Sequence, residues 1–144
     1  MRESIIWLKP EKRFKYPHLS PADKKIWERY LATMPTSLGA VSYDLRVGIG
    51  QDPGETYQDN IRTMAVKLTQ LRIDVLNKFN NSYQIIEVKF DPGPGAVGQL
   101  IAYRDLFVLE YPELRPVNLF LLCNKITPDL VTVCRMNNIS FQVV

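Results

Sequence analysis

One histidine and two cysteines in 144 residues leave little room for whole classes of chemistry. With His18 alone, a Ser-His-Asp relay or a multi-histidine metal centre is nearly excluded, and the residue reads as a surface position in an N-terminal loop. Cys123 and Cys134 are too few and too widely spaced for a thiolate cluster; each falls in an apolar stretch, which predicts buried free thiols. No apolar run is long enough to span a bilayer, and MRESIIWLKPEKR lacks the apolar core and small-residue cleavage site of a signal peptide. The expectation is a soluble protein, cytoplasmic when made, with no membrane partner. Internal repeats, low-complexity tracts and long linkers are also missing. Gly48-x-Gly50 with Gly54 lacks the Lys-Ser/Thr ending and the spacing of a phosphate loop, so no nucleotide cofactor is expected.

What is present suffices for one domain with a sizeable core, since 46% of the residues are apolar. The net charge of +3 is unevenly spread. Residues 1–25 carry seven cations (Arg2, Lys9, Lys12, Arg13, Lys15, Lys24, Lys25) against Glu3, Glu11 and Asp23, and the remainder is close to neutral. EKRFKYPHL interleaves those charges with Phe14 and Tyr16. Such a mixture suits phosphate contact and base stacking, which makes Lys12, Arg13 and Lys15 candidate nucleic-acid contacts; it equally suits a packing or assembly strap. The chain therefore divides into a basic arm, residues 1–20, and a single domain, residues 21–144.

Ser20-Pro21 reads as a helix cap and first turn, and the following helix repeats apolar residues at Ile26, Trp27, Tyr30, Leu31 and Met34, ending before Pro35. VSYDLRVGIG, residues 41–50, alternates as a first strand. Ile61, Met64, Ala65 and Leu68 have helical spacing. VNLFLLCNK, residues 117–125, is a continuous apolar run suited to a buried parallel strand; Thr127-Pro128 opens a helix through Met136, and ISFQVV, residues 139–144, closes the sheet. The block Leu106–Leu109 is too long for one helix face, so part of it suits a subunit contact, with burial inside the domain the simpler reading. The order α-β-α-β-β-α-β-α-β predicts an α/β fold with a mixed central sheet flanked by helices.

The informative stretch runs from Arg72 to Tyr103. RIDVL (72–76) and YQIIEVKF (83–90) are rich in β-branched residues and flank the turn pair Asn80-Asn81, which predicts a hairpin pairing residues whose numbers sum to 161. Asp74 then faces Glu87, and opposed residues in an antiparallel pair have Cβ atoms about 4.5–5.5 Å apart. Lys89 falls on the same face as Glu87, about 6.6 Å along the strand, with Ile86, Val88 and Phe90 on the other. These charges could be an exposed ion-pair cluster on a half-buried hairpin. Ile73, Val75, Ile85, Ile86 and Val88 instead make both strands look central, where unpaired charge is costly. A divalent cation between two carboxylates removes their repulsion.

After DPGPG (91–95), the helix AVGQLIAYRDLFVLEY places Gln99 and Tyr103 at i and i+4, on one face. An Asp, then Glu-x-Lys on the next strand, then Gln-x-x-x-Tyr on the helix after it resembles the PD-(D/E)XK nuclease superfamily, in particular its RecB-like QxxxY branch. The match covers roughly residues 40–144, with Arg72-Ile73 ahead of Asp74 where the motif name has Pro.

The resemblance implies a restriction-endonuclease-like core and metal-dependent hydrolysis of DNA phosphodiester bonds. Asp74, Glu87 and the carbonyl of Val88 would hold Mg²⁺ or Mn²⁺, Lys89 would orient the attacking water or stabilise the transition state, and Gln99 and Tyr103 would stand beside the site. Some members add an acid from the helix before the sheet, for which Glu28 is the candidate. RIDV, IIEVK and GQL-x-x-Y-R also resemble short tailed-phage proteins, so the implied partners are DNA and other virion proteins or further copies of the chain, in a host cytoplasm or a virion. Alternative roles are a structural head-to-tail, neck or tail component retaining the fold, and a nucleic-acid-binding module without cleavage.

Overall fold

Ser20 Oγ accepts the N–H of Asp23 at 3.1 Å and Pro21 takes the first helical position, so α1 begins where its cap dictates. In the computed structural model, which describes residues 2–144, every predicted element follows in the predicted order. They are α1 Pro21–Ala32, β1 Ala40–Val47, α2 Asp59–Thr69, β2 Leu71–Phe79, β3 Ser82–Lys89, α3 Pro94–Glu110, β4 Val117–Cys123, α4 Pro128–Met136 and β5 Ile139–Val143.

The strands lie side by side in chain order, antiparallel from β1 to β3 and parallel from β3 to β5. Asn80 and Asn81 both adopt left-handed φ, 48° and 61°, the conformation that a two-residue hairpin turn requires. The β2–β3 register runs from Phe79↔Ser82 to Val75↔Ile86, as the turn predicts.

The sheet separates two cores. On one face Trp27, Ile26 and Tyr30 of α1 cover Val41, Val75, Ile86, Val88, Phe120 and Leu122. On the other, α3 and α4 bury Val97, Leu100, Phe107 and Leu130 against Ile73, Leu76, Ile85 and Leu121. Cys123 and Cys134 are buried and free, and burial pushes the Cys123 thiol up to about 11. From the block Leu106–Leu109, Phe107 is buried, Leu106 and Val108 are partly buried against the same core, and Leu109 stays exposed. Helix α2 keeps Ile61, Met64 and Leu68 exposed and buries no residue; a bidentate Arg62–Asp52 pair and a bond from Gln70 Nε2 to the Gly48 carbonyl, 2.6 Å, tether it. Gly50 allows the loop to approach α2, because a Cβ there would lie 2.4 Å from the Val66 carbonyl oxygen. Among the described residues no helix is long and apolar enough to cross a membrane.

The basic arm is a strap. Leu8 exchanges two 2.8 Å backbone bonds with Val41 on the edge strand β1, Ile5 and Trp7 join one core, and Tyr16 and Leu19 join the other. The arm therefore wraps the β1 edge from face to face, covering backbone that would otherwise be open to strand addition.

Candidate functional site

Alternation breaks at one level of the sheet. In β1, Val41 and Tyr43 face the α1 core while Leu45 and Val47 face the α3 core; in β2, Val75 faces α1 and Ile73 faces α3. Asp44, with φ 56°, and Asp74 stand at the shared break, between the pairs Tyr43↔Val75 and Leu45↔Ile73. Asp tolerates the left-handed region better than a bulky residue would. Both strands turn over together, and two aspartates are freed from the regular pleat where β2 meets β3.

Asp74 uses that freedom to reach β3. Its Oδ2 accepts the N–H of Val88 at 2.8 Å, and its carboxyl comes within hydrogen-bonding reach of Glu87. The expected ladder pair of Asp74 with Glu87 does not form, because pairing ends at Val75↔Ile86; the Asp74 carboxyl takes the Val88 N–H instead and lies near enough to Glu87 for each to shift the other's titration. Val88 contributes its N–H to Asp74.

Glu87 is only 3% exposed. Burial, then the hydrogen bond to Asp74 and its negative charge, push the Glu87 carboxyl up to about 10 against the opposing pull of Lys89. Burial acts on Asp74 in the same sense. Its contacts with His18, Glu87 and the Val88 N–H outweigh that effect and hold it below the usual carboxylate range. The opposite shifts mark two carboxyls that titrate as one coupled pair, with Glu87 the harder of the two to ionise. Lys89 is exposed at the end of β3. Tyr103 is buried on α3, and burial together with the charges of Glu87 and Asp74 raises its phenol, which places it beside the pair. Gln99, one turn earlier, is exposed.

One assignment is overturned. His18 is not a surface residue: its side chain is 6% exposed, with Nε2 3.2 Å from Asp74 Oδ1 and Nδ1 4.0 Å from Asp44 Oδ1. Neither ring nitrogen finds a well-directed hydrogen bond. Asp44 is in turn gripped by Arg72 through two bonds, 2.5 and 2.6 Å. The arm thus delivers an imidazole to the acid pair, which a lone histidine without a spacing pattern could not announce. Glu28, the candidate acid of α1, pairs with a lysine of the arm. It lies 3.5 Å from Lys12, and the α1 acid whose charge bears on Glu87 is Asp23, which also accepts the N–H of Phe90 at 2.8 Å.

The basic triplet is divided. Lys12 faces Glu28, Arg13 lies 3.9 Å from Glu11, and Lys15 is exposed. Tyr16 is buried and unavailable for stacking, whereas Phe14 is 97% exposed.

Among the described residues no three His, Cys, Asp or Glu side chains form a ready-made metal cage. The donors at hand are two adjoining carboxylates, one carrying a proton that a cation would replace, with an imidazole at hydrogen-bond distance and no well-directed partner. That set fits Mg²⁺, which takes one or two carboxylates and keeps several waters, and the added nitrogen also suits Mn²⁺. The larger surface cavities lie elsewhere: one of about 580 Å³ includes Asp52, Arg62 and Val66 in its lining, and one of about 530 Å³ includes Arg104, Arg115 and Val117. Neither cavity includes Asp74 or Glu87 in its lining, and His18 lies against Asp74. Comparison of the chain with protein-family models, with curated proteins and with solved structures finds no match.

Proposed function

We propose that the chain is a Mg²⁺- or Mn²⁺-dependent nuclease that hydrolyses DNA phosphodiester bonds at Asp74 and Glu87. The observation that carries this reading is the pair itself: two carboxyls forced together in the sheet, one kept protonated by burial and by its neighbour. An ordinary structural role gives no reason for that arrangement, because a buried acid pair costs more than an apolar pair of similar volume.

In this reading Asp74 and Glu87 hold the cation, with His18 beside them. A cation held there would supply a water of lowered pKa and neutralise charge on the scissile phosphate. Glu87 would have to be ionised to hold a cation, which would couple occupancy to proton release. The Val88 N–H fixes one Asp74 oxygen, and His18 Nε2 stands 3.2 Å from the other, so ligation through that oxygen competes with the imidazole. Lys89, exposed at the strand end, supplies a mobile ammonium for the phosphate or the attacking water. Tyr103 bounds the site from α3, and Gln99 offers a neutral amide to the phosphate at the rim. Arg72 pairs with Asp44 through two bonds and so offsets the charge of a third carboxylate near the site.

The test is plasmid and linear DNA incubated with Mg²⁺ or Mn²⁺, wild type beside Glu87→Ala and Lys89→Ala. Metal-dependent cleavage lost in both variants supports the reading; absence of cleavage by the wild type, or cleavage unchanged in the variants, rejects it.

A second reading, a structural virion component, is favoured by the uncovered apolar residues of α2 and the restricted access to Glu87. Stable assembly of an inactive wild-type chain would decide for it.

A further inference from the structure

Phe14 is almost wholly exposed, while the other aromatics of the arm, Trp7 and Tyr16, pack into the two cores. An exposed phenyl is common enough on a flexible tail, but this one is presented by fixed backbone. The Arg13 N–H donates to Tyr16 Oη at 2.9 Å, and Lys24 Nζ donates to the Phe14 carbonyl at 3.0 Å while lying 6.0 Å from the centre of the Tyr16 ring. Four residues further on, His18 sits against Asp74. Four residues of extended chain reach at most about 14 Å, so the phenyl stands within a few nucleotides of the acid pair.

Its surroundings are cationic. Lys15 follows it in sequence and is exposed, and the Lys24 ammonium reaches the Phe14 carbonyl. A rigid aromatic face bordered by cations is the arrangement that binds single strands, in which each unpaired base offers a π-face and each linkage a phosphate. Duplex bases are already stacked and offer such a face only at an end. A protein partner would be met by neighbouring apolar groups, but the residues flanking Phe14 are Arg13 and Lys15.

We propose that Phe14 is a stacking platform for an unpaired nucleobase, with Lys15 on the adjoining phosphate, and that it selects single-stranded DNA or a frayed duplex end for the acid pair. The proposal rests on the nuclease reading for the fate of the strand, not for its capture.

The experiment is fluorescence anisotropy of a labelled oligothymidylate and of a closed blunt duplex of equal length, with the full chain in EDTA, so that binding is read without cleavage. The wild type binds the single strand more tightly. Phe14→Ala weakens that binding by about tenfold while leaving the duplex unaffected, and Phe14→Trp restores it. Equal single-strand binding by wild type and Phe14→Ala overturns the proposal. No oligonucleotide binding by the wild type also overturns it and leaves Phe14 to a protein partner. Capture through Phe14 without any metal-dependent cutting keeps the proposal and removes the nuclease reading; metal-dependent cutting with Phe14→Ala binding unchanged does the reverse.

Discussion

Asp74 Oδ2 takes the backbone N–H of Val88 at 2.8 Å, so an acid on β2 fastens β3 at the level where their ladder stops. The same carboxyl faces Glu87 and His18, which makes it both the clasp of the hairpin and the ionised half of the candidate site.

Removing the clasp leaves a buried N–H without its acceptor. Asp74→Ala is expected to lower unfolding free energy by about 1–3 kcal/mol in urea titration. Asp74→Asn keeps an acceptor oxygen and should lose less. Equal stability of wild type and Asp74→Ala would show that the bond fastens nothing.

The proton on Glu87 makes metal-free stability depend on pH. Its carboxyl is raised from 4.5 to about 10 in the folded chain, so between those values only the folded state keeps the proton. Unfolding then releases it, and stability falls as pH rises from about 5 towards 10. Asp74, lowered on folding, contributes in the opposite sense only below its ordinary value of 3.8. Glu87→Gln, which mimics the protonated acid, is expected to flatten the decline in Tm between pH 6 and 9 by an amount visible in thermal scans, and to melt higher than wild type at pH 8 without metal. A decline of the same steepness in both proteins would place the charge elsewhere.

Cation binding should reverse that penalty. Mg²⁺ or Mn²⁺ at one hundred times its Kd stabilises a folded chain by about 2.7 kcal/mol, and here a proton leaves with it. A rise in Tm with either ion at pH 8, absent in Glu87→Gln, and a calorimetric heat that changes with buffer ionisation enthalpy are the expected results. An equal rise in the variant would mean that the ion binds at another place.

His18 anchors the arm as well as touching Asp74. His18→Ala is expected to cost about 1 kcal/mol and to speed tryptic cleavage at Lys12, Arg13 and Lys15 several-fold in the folded chain, since the segment loses its inner contact. An unchanged digestion rate would show that Tyr16 and the Leu8–Val41 bridge hold the strap by themselves.

Much of this was legible before any coordinates. Apolar spacing in α1 and α2, the unbroken run of β4 and the Asn80-Asn81 turn are local signals, and once the turn fixed the register it also brought Asp74 near Glu87. What escaped was non-local. His18 meets Asp44 and Asp74 only because the arm folds over the edge of β1, and nothing near His18 in the chain encodes that path. Asp44 did carry a signal, a short acid in an otherwise alternating strand, but its left-handed backbone depends on β2 turning with it. Asp23 was hidden because an acid in the first turn of a helix already has an ordinary explanation, favourable interaction with the helix dipole; its bond to Phe90 is tertiary. Phe14 and Tyr16 look alike in EKRFKYPHL, and only packing separates the exposed ring from the buried one.

The most direct measurement is a time course of cutting on end-labelled single-stranded and duplex DNA at pH 8, with Mn²⁺, Mg²⁺ or EDTA, comparing wild type with Glu87→Gln. The account predicts cleavage by the wild type with either ion, none in EDTA, and a rate at least about a hundredfold lower in Glu87→Gln. A wild type that leaves both substrates intact with both ions, or a Glu87→Gln that cuts as fast, would contradict it.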